Sequence, residues 1–91
     1  MMPVFLRIRG YKVYFWSNES HEPIHFHIAE GDPSPNDTKV WIHKDKTFQV
    51  ANNKGQIPDK NLIRIMIIMH SYVDDYIRAW ESHIGQVRYI R

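Results

Sequence analysis

A chain of 91 residues has room for one domain and not two, and with 43% hydrophobic and 13% aromatic residues it carries the core material that a disordered chain lacks. It has no cysteine, which excludes disulfides and thiolate metal sites, and a net charge of +2 with six neutral histidines is too mild to imply nucleic acid by itself. The N-terminal Met1–Arg7 has neither the apolar core nor the cleavage pattern of a signal peptide, and the most apolar run, Ile65–Met69, is far too short to span a bilayer, so a cytoplasmic protein without membrane contact is expected.

The first half of the chain alternates with period two, which places successive side chains on opposite faces of a strand. Strands are expected near 4–9, 11–16, 24–29, 38–43 and 47–51. Gly10 marks a tight turn or a bulge between the first two. Ser17–Pro23 connects the second and third. Glu30–Asp37, with Gly31, Pro33 and Pro35, reads as an exposed, mobile loop, and Asn52–Gly55 ends the fifth strand. Pro58-Asp59 opens a helix over about 59–84, with Asp59 at the positive end of its dipole and Gly85 as C-cap. Leu62, Met66, Met69, Val73, Tyr76, Ile77, Trp80 and Ile84 form one helical stripe. The tail 86–91 offers a further strand through Val87, Tyr89 and Ile90. The expected fold is α+β: one domain over 1–91, a single antiparallel sheet of four to five strands over about 4–51, and a long C-terminal helix packed on one face.

One parity of the strands is wholly apolar: Leu6, Ile8, Val13, Phe15, Ile24, Phe26, Ile28, Val40, Ile42, Phe48 and Val50. This set is assigned to the core beneath the helix. The other parity holds Phe5, Arg7, Arg9, Lys12, Tyr14, Trp16, His25, His27, Lys39, Trp41 and His43, with no carboxylate. Amphipathic rings beside Arg and Lys are the material of protein interfaces and of stacking surfaces for nucleic acid. This face therefore reads as a partner or ligand surface, unless the chain's own tail or a second copy covers it.

Within that face, His25-Phe26-His27 puts two imidazoles on one side of a strand, about 6–7 Å apart along it. Both could converge on one metal or one phosphate. His43 from a neighbouring strand, or Glu19 or Glu22 from the preceding loop, could complete a zinc or other divalent-metal site. The same two histidines could instead serve as acid and base on a phosphodiester, with Arg7, Arg9 or Lys39 stabilising the developing charge. In the helix, Ile63, Ile67 and Ile68 lie off the stripe, so residues 62–69 are apolar nearly all round, as in a deep core helix or one that meets a partner.

Arg9-Gly10-Tyr11, Phe15-Trp16-Ser17-Asn18-Glu19, Glu22-Pro23-Ile24-His25-Phe26-His27-Ile28, Lys39-Val40-Trp41 and Ala79-Trp80-Glu81 together resemble domain of unknown function 4160, in order, over roughly residues 3–85. That family consists of short bacterial proteins, often encoded beside a second small protein of unknown function (family 2442), and the pairs have been proposed as toxin–antitoxin-like modules. The resemblance implies a bacterial cytosolic protein with a small protein partner of that second family. It implies no activity, substrate, cofactor or catalytic residue. The chain departs from the pattern in a polar connection after Trp41, in Ile84 where an aromatic is expected, and in the extension Gln86–Arg91. The leading expectation is a partner-binding module docking through Arg7, Arg9, Tyr14, Trp16, Glu19, Glu22, His25, His27, Lys39, Trp41 and His43. The alternatives are a small ribonuclease using His25 and His27, a divalent-metal-binding protein, a homodimer and a nucleic-acid binder.

Overall fold

Arg9 and Gly10 both take positive φ (46° and 84°), and Ile8 pairs with Tyr11 across them, the two-residue hairpin geometry that matches the twist of the flanking strands. That turn sets the register of the sheet. In the computed structural model, which describes residues 3–90, five strands follow in chain order: β1 (Val4–Ile8), β2 (Tyr11–Tyr14), β3 (His25–Glu30), β4 (Thr38–Ile42) and β5 (Phe48–Asn52). Each pairs antiparallel with the next, so the sheet is a simple meander with β1 and β5 as its edges.

The apolar parity lies inside as expected. Val13, Phe15, Ile24, Phe26, Val40 and Ile42 have no exposed surface, and Leu6, Ile8, Phe48 and Val50 pack around them. Phe5 is an exception to its parity. The register of β1 against β2 shifts between Val4 and Leu6, and this irregularity turns the Phe5 ring to the core side, edge-on to Tyr76 at 5.2 Å. Phe5 thus leaves the outer face where alternation places it.

In place of the single helix that the spacing predicts over 59–84, there are two, α1 (Asp59–Ser71) and α2 (Val73–Ile84). They are separated by Tyr72, whose N–H closes a tighter turn onto the Met69 carbonyl at 2.9 Å before Tyr76 N–H resumes the helix on the Tyr72 carbonyl. The buried stripe runs unbroken through the interruption as Leu62, Ile65, Met69, Val73, Tyr76 and Trp80. Ile65, not Met66, is the fully buried member in the second turn. Before α1, Ile57 is buried with Leu62 in the same cluster, a hydrophobic staple across the Pro58 N-cap. Gly85 ends α2 with φ 94°, as its C-cap position requires.

The tail forms no strand among the described residues, and Arg91 lies outside them. It runs past the start of β3, where Ile24 N–H donates to the Arg88 carbonyl at 2.7 Å and Val87 and Tyr89 pack against the core. The loop 31–37 is anchored. Asp37 accepts both the Tyr14 hydroxyl and the Ser34 N–H, and this holds the loop against Tyr14, which is fully buried.

Candidate functional site

β3 begins at His25, so the two histidines project from the very end of the strand, on the parity opposite to the core residues Phe26 and Ile28. Cross-strand pairing aligns them with their neighbours in two rows. Tyr14, His27 and Lys39 stand side by side across β2, β3 and β4, and His25, Trp41 and Gln49 do so across β3, β4 and β5. The His25 ring meets His27 at 4.9 Å, Trp41 at 5.4 Å and Trp80 of α2 at 5.1 Å, all edge-on. Its side chain has no exposed surface.

The third member comes from the connection between β2 and β3. A turn closed by Glu19 N–H on the Trp16 carbonyl, then another by Glu22 N–H on the Glu19 carbonyl, folds Glu19 back over β3. Its carboxylate lies 2.7 Å from His25 Nε2 and 3.0 and 3.2 Å from His27 Nε2, and it accepts the Trp16 N–H at 2.7 Å. On the far side of the ring, His25 Nδ1 donates to the Pro23 carbonyl at 2.8 Å. Among the described residues, this is the one group of three potential metal ligands whose donor atoms converge, all within 4.8 Å of one another.

Burial pushes the Glu19 carboxyl up, but the hydrogen bonds to His25 and His27, the charge of His25 and the Trp16 N–H outweigh it and hold the group well below the usual carboxylate range. Glu19 is therefore an anion set into the protein surface. Tyr14 moves the other way: burial and the Asp37 carboxylate push its phenol far up, so it is a neutral donor. The phenol of Tyr76, raised by its complete burial and then by Glu19, donates to the His25 carbonyl.

The remaining expected face residues divide. Trp16, half-buried, stands edge-on to Tyr14 at 5.5 Å. Lys39 pairs with Glu22 at 2.6 Å and covers the Trp41 ring at 4.2 Å, so Glu22 neutralises the lysine and does not join the histidines. His43 follows the end of β4 and bonds Gln49 Oε1 at 2.8 Å, away from the cluster. Arg7 pairs with Lys12 on the outer face nearer the hairpin. Arg9, held in the turn, leaves that face and lines a groove with Tyr11, Asn61 and Arg64 at the start of α1. An acid–base pair on a phosphodiester needs both rings at the substrate, and His25 is closed off beneath Glu19 and the two tryptophans. Glu19 is the residue that reasoning from alternation could not single out, because its place depends on the shape of a ten-residue connection.

The exposed apolar surface lies on the helix side. Ile63 and Ile67, one turn apart on α1, are 53% and 65% exposed, and Tyr72 is 44% exposed. With Met66, His70, Thr47 and Phe48 the two isoleucines line a groove between α1 and the start of β5, an edge strand. No helix among the described residues is long and apolar enough to cross a membrane.

No curated protein and no solved structure matches the chain. One family model does, over residues 10–81, a span that takes in β2 to β5, the Glu19–His25–His27 cluster, α1 and most of α2. The chain belongs to the family described as Domain of unknown function (DUF4160).

Proposed function

We propose that this chain is a partner-binding module, one component of a toxin–antitoxin-like pair, and that it docks a small protein along α1 and the adjoining edge of β5. The observation that carries this reading is the exposure of Ile63 and Ile67 beside Phe48 and Met66. An aliphatic pair set on a helix next to an unpaired strand edge is the apolar centre that protein interfaces are built around. Among the described residues β5 is an edge strand, and an extended segment of the partner can pair with its outer side. This places docking on the opposite side of the sheet from the basic-aromatic face. The reason is energetic. Tyr14 and His25 are already buried, and Lys39 is held by Glu22 and Trp41, so little apolar area there is left to gain.

The partner with the strongest claim is a small protein of family 2442, the kind that the resemblance implies is often encoded beside members of this family. Purifying the two proteins separately and mixing them tests the proposal. A stable complex whose formation protects α1 and β5 amides from exchange supports it. Two proteins that elute apart at micromolar concentration oppose it.

A further inference from the structure

We infer that Glu19, His25 and His27 bind one divalent cation of zinc's class, His25 and His27 through Nε2 and Glu19 through its carboxylate. The donor atoms already converge. Glu19 oxygens lie 2.7 Å from one Nε2 and 3.0 and 3.2 Å from the other. Around a tetrahedral zinc with bonds of about 2.0–2.2 Å, ligand atoms stand roughly 3.3–3.5 Å apart, so the carboxylate would back away from His25 Nε2 by about 0.6–0.8 Å, and the three donor atoms already lie within 4.8 Å of one another.

The far side of His25 shows the tautomer a ligand needs. The Pro23 carbonyl can only accept, so Nδ1 carries a proton, and in the neutral ring Nε2 is then the lone-pair atom. A ligating histidine characteristically donates its other N–H to a carbonyl or carboxylate, as here. A cation held by the three groups would take Nε2 of both rings and the carboxylate while the Nδ1 bond to the Pro23 carbonyl stays in place.

The site is also held in place from behind. Trp41 and Trp80 fix the His25 ring, and the Trp16 N–H fixes Glu19. Two imidazoles with one carboxylate favour zinc, iron or nickel over magnesium or calcium, which take oxygen ligands. Three protein ligands leave one tetrahedral position for water, on the side where the His27 side chain keeps 13% of its surface exposed. The site lies on the other face of the sheet from α1 and stands or falls independently of partner docking.

The test is titration of the metal-free full chain with zinc chloride, and separately with cobalt chloride, near neutral pH. One cation per chain should bind, cobalt should give the strong visible absorption of a tetrahedral site, and Tm should rise by roughly 10 °C when free zinc is about a hundredfold above Kd. His27→Ala, which removes a ligand at the partly exposed position, should weaken binding on the order of 100-fold, while His43→Ala should change nothing. Glu19→Gln should weaken it as well. Should that variant not fold, His27→Ala still decides the matter. Absence of saturable zinc or cobalt binding in the native chain, or undiminished binding by His27→Ala, would show that the cluster is a buried ion pair only.

Discussion

His27 Nε2 lies 3.0 and 3.2 Å from the two carboxylate oxygens of Glu19, a residue eight positions earlier that belongs to no strand. One loop anion thus ties both histidines of β3 together and seals the end of the sheet. Glu19→Gln keeps the shape and removes the charge. In the metal-free protein it should cost ~2–3 kcal/mol, because a buried ion pair loses one partner while most of its hydrogen bonds survive. The sign with pH follows from the depressed carboxyl. The stability it contributes is fully present above its ordinary value of 4.5 and is lost as pH falls below that toward the folded value. Thermal unfolding followed from pH 7 downward should therefore show a steeper acid decline for the native chain than for Glu19→Gln. Parallel slopes would show that Glu19 carries no such linkage.

Gly55 offers a sharper steric test. A Cβ there would stand 2.9 Å from the Thr38 hydroxyl oxygen and 3.3 Å from the Thr38 nitrogen. That hydroxyl is buried and donates to Asn53 Oδ1 at 2.6 Å, and Asn53 in turn holds the Ile57 N–H and carbonyl. Gly55→Ala should push Thr38 out of this network and cost about 1–3 kcal/mol, as overpacking does. Gly31, which has open space around it, is no control because its φ of 81° penalises any side chain. Denaturant midpoints for Gly55→Ala and Gly55→Ser should both fall, the larger residue more. An unchanged midpoint for Gly55→Ala would mean that the β5–α1 connection yields freely.

The irregularity in β1 gives a third prediction. Phe5 packs edge-on to Tyr76, while Arg7, two residues on, is exposed on the other side. Phe5→Ala should cost ~2–3 kcal/mol through lost burial and a partial cavity. Arg7→Ala should change stability little. If strict alternation held through β1, both substitutions would be mild, and chemical denaturation of the two variants separates these cases.

These two neighbours also show where the sequence was readable. Alternation located all five strands and the apolar face from Val13 to Ile42 that packs under the helices, because one face of a meander under a helix must be apolar throughout; Tyr14 and His25, set on the other face, are buried as well. It misplaced Phe5 and Arg9, since a register shift and a hairpin turn each break the period that carries the inference. It placed His25 and His27 on one face but read that face as open. Loops 15–24 and 31–37 fold over it, held by Glu19 and Asp37, and no periodicity encodes where a loop carboxylate comes to rest. Glu19, Glu22 and His43 were equivalent candidates by position, and only the turns after Trp16 separate them. The apolar girth of 62–69 was legible too, and Ile63 and Ile67 mark its exposed side because the buried stripe passes through Ile65.

Docking along α1 is tested most directly by calorimetric titration of the proposed partner, a small family-2442 protein, into three chains: native, Ile67→Asp and Trp41→Ala. Aspartate on an exposed helical position leaves the fold intact, which circular dichroism checks, but puts a charge into an apolar contact. Ile67→Asp should raise Kd at least about tenfold, a loss of ~1.4 kcal/mol or more, while Trp41→Ala should stay within about threefold of native. Native-like binding by Ile67→Asp together with loss of binding by Trp41→Ala would move the interface to the opposite face of the sheet and contradict the proposal, as would the absence of any complex with the native chain.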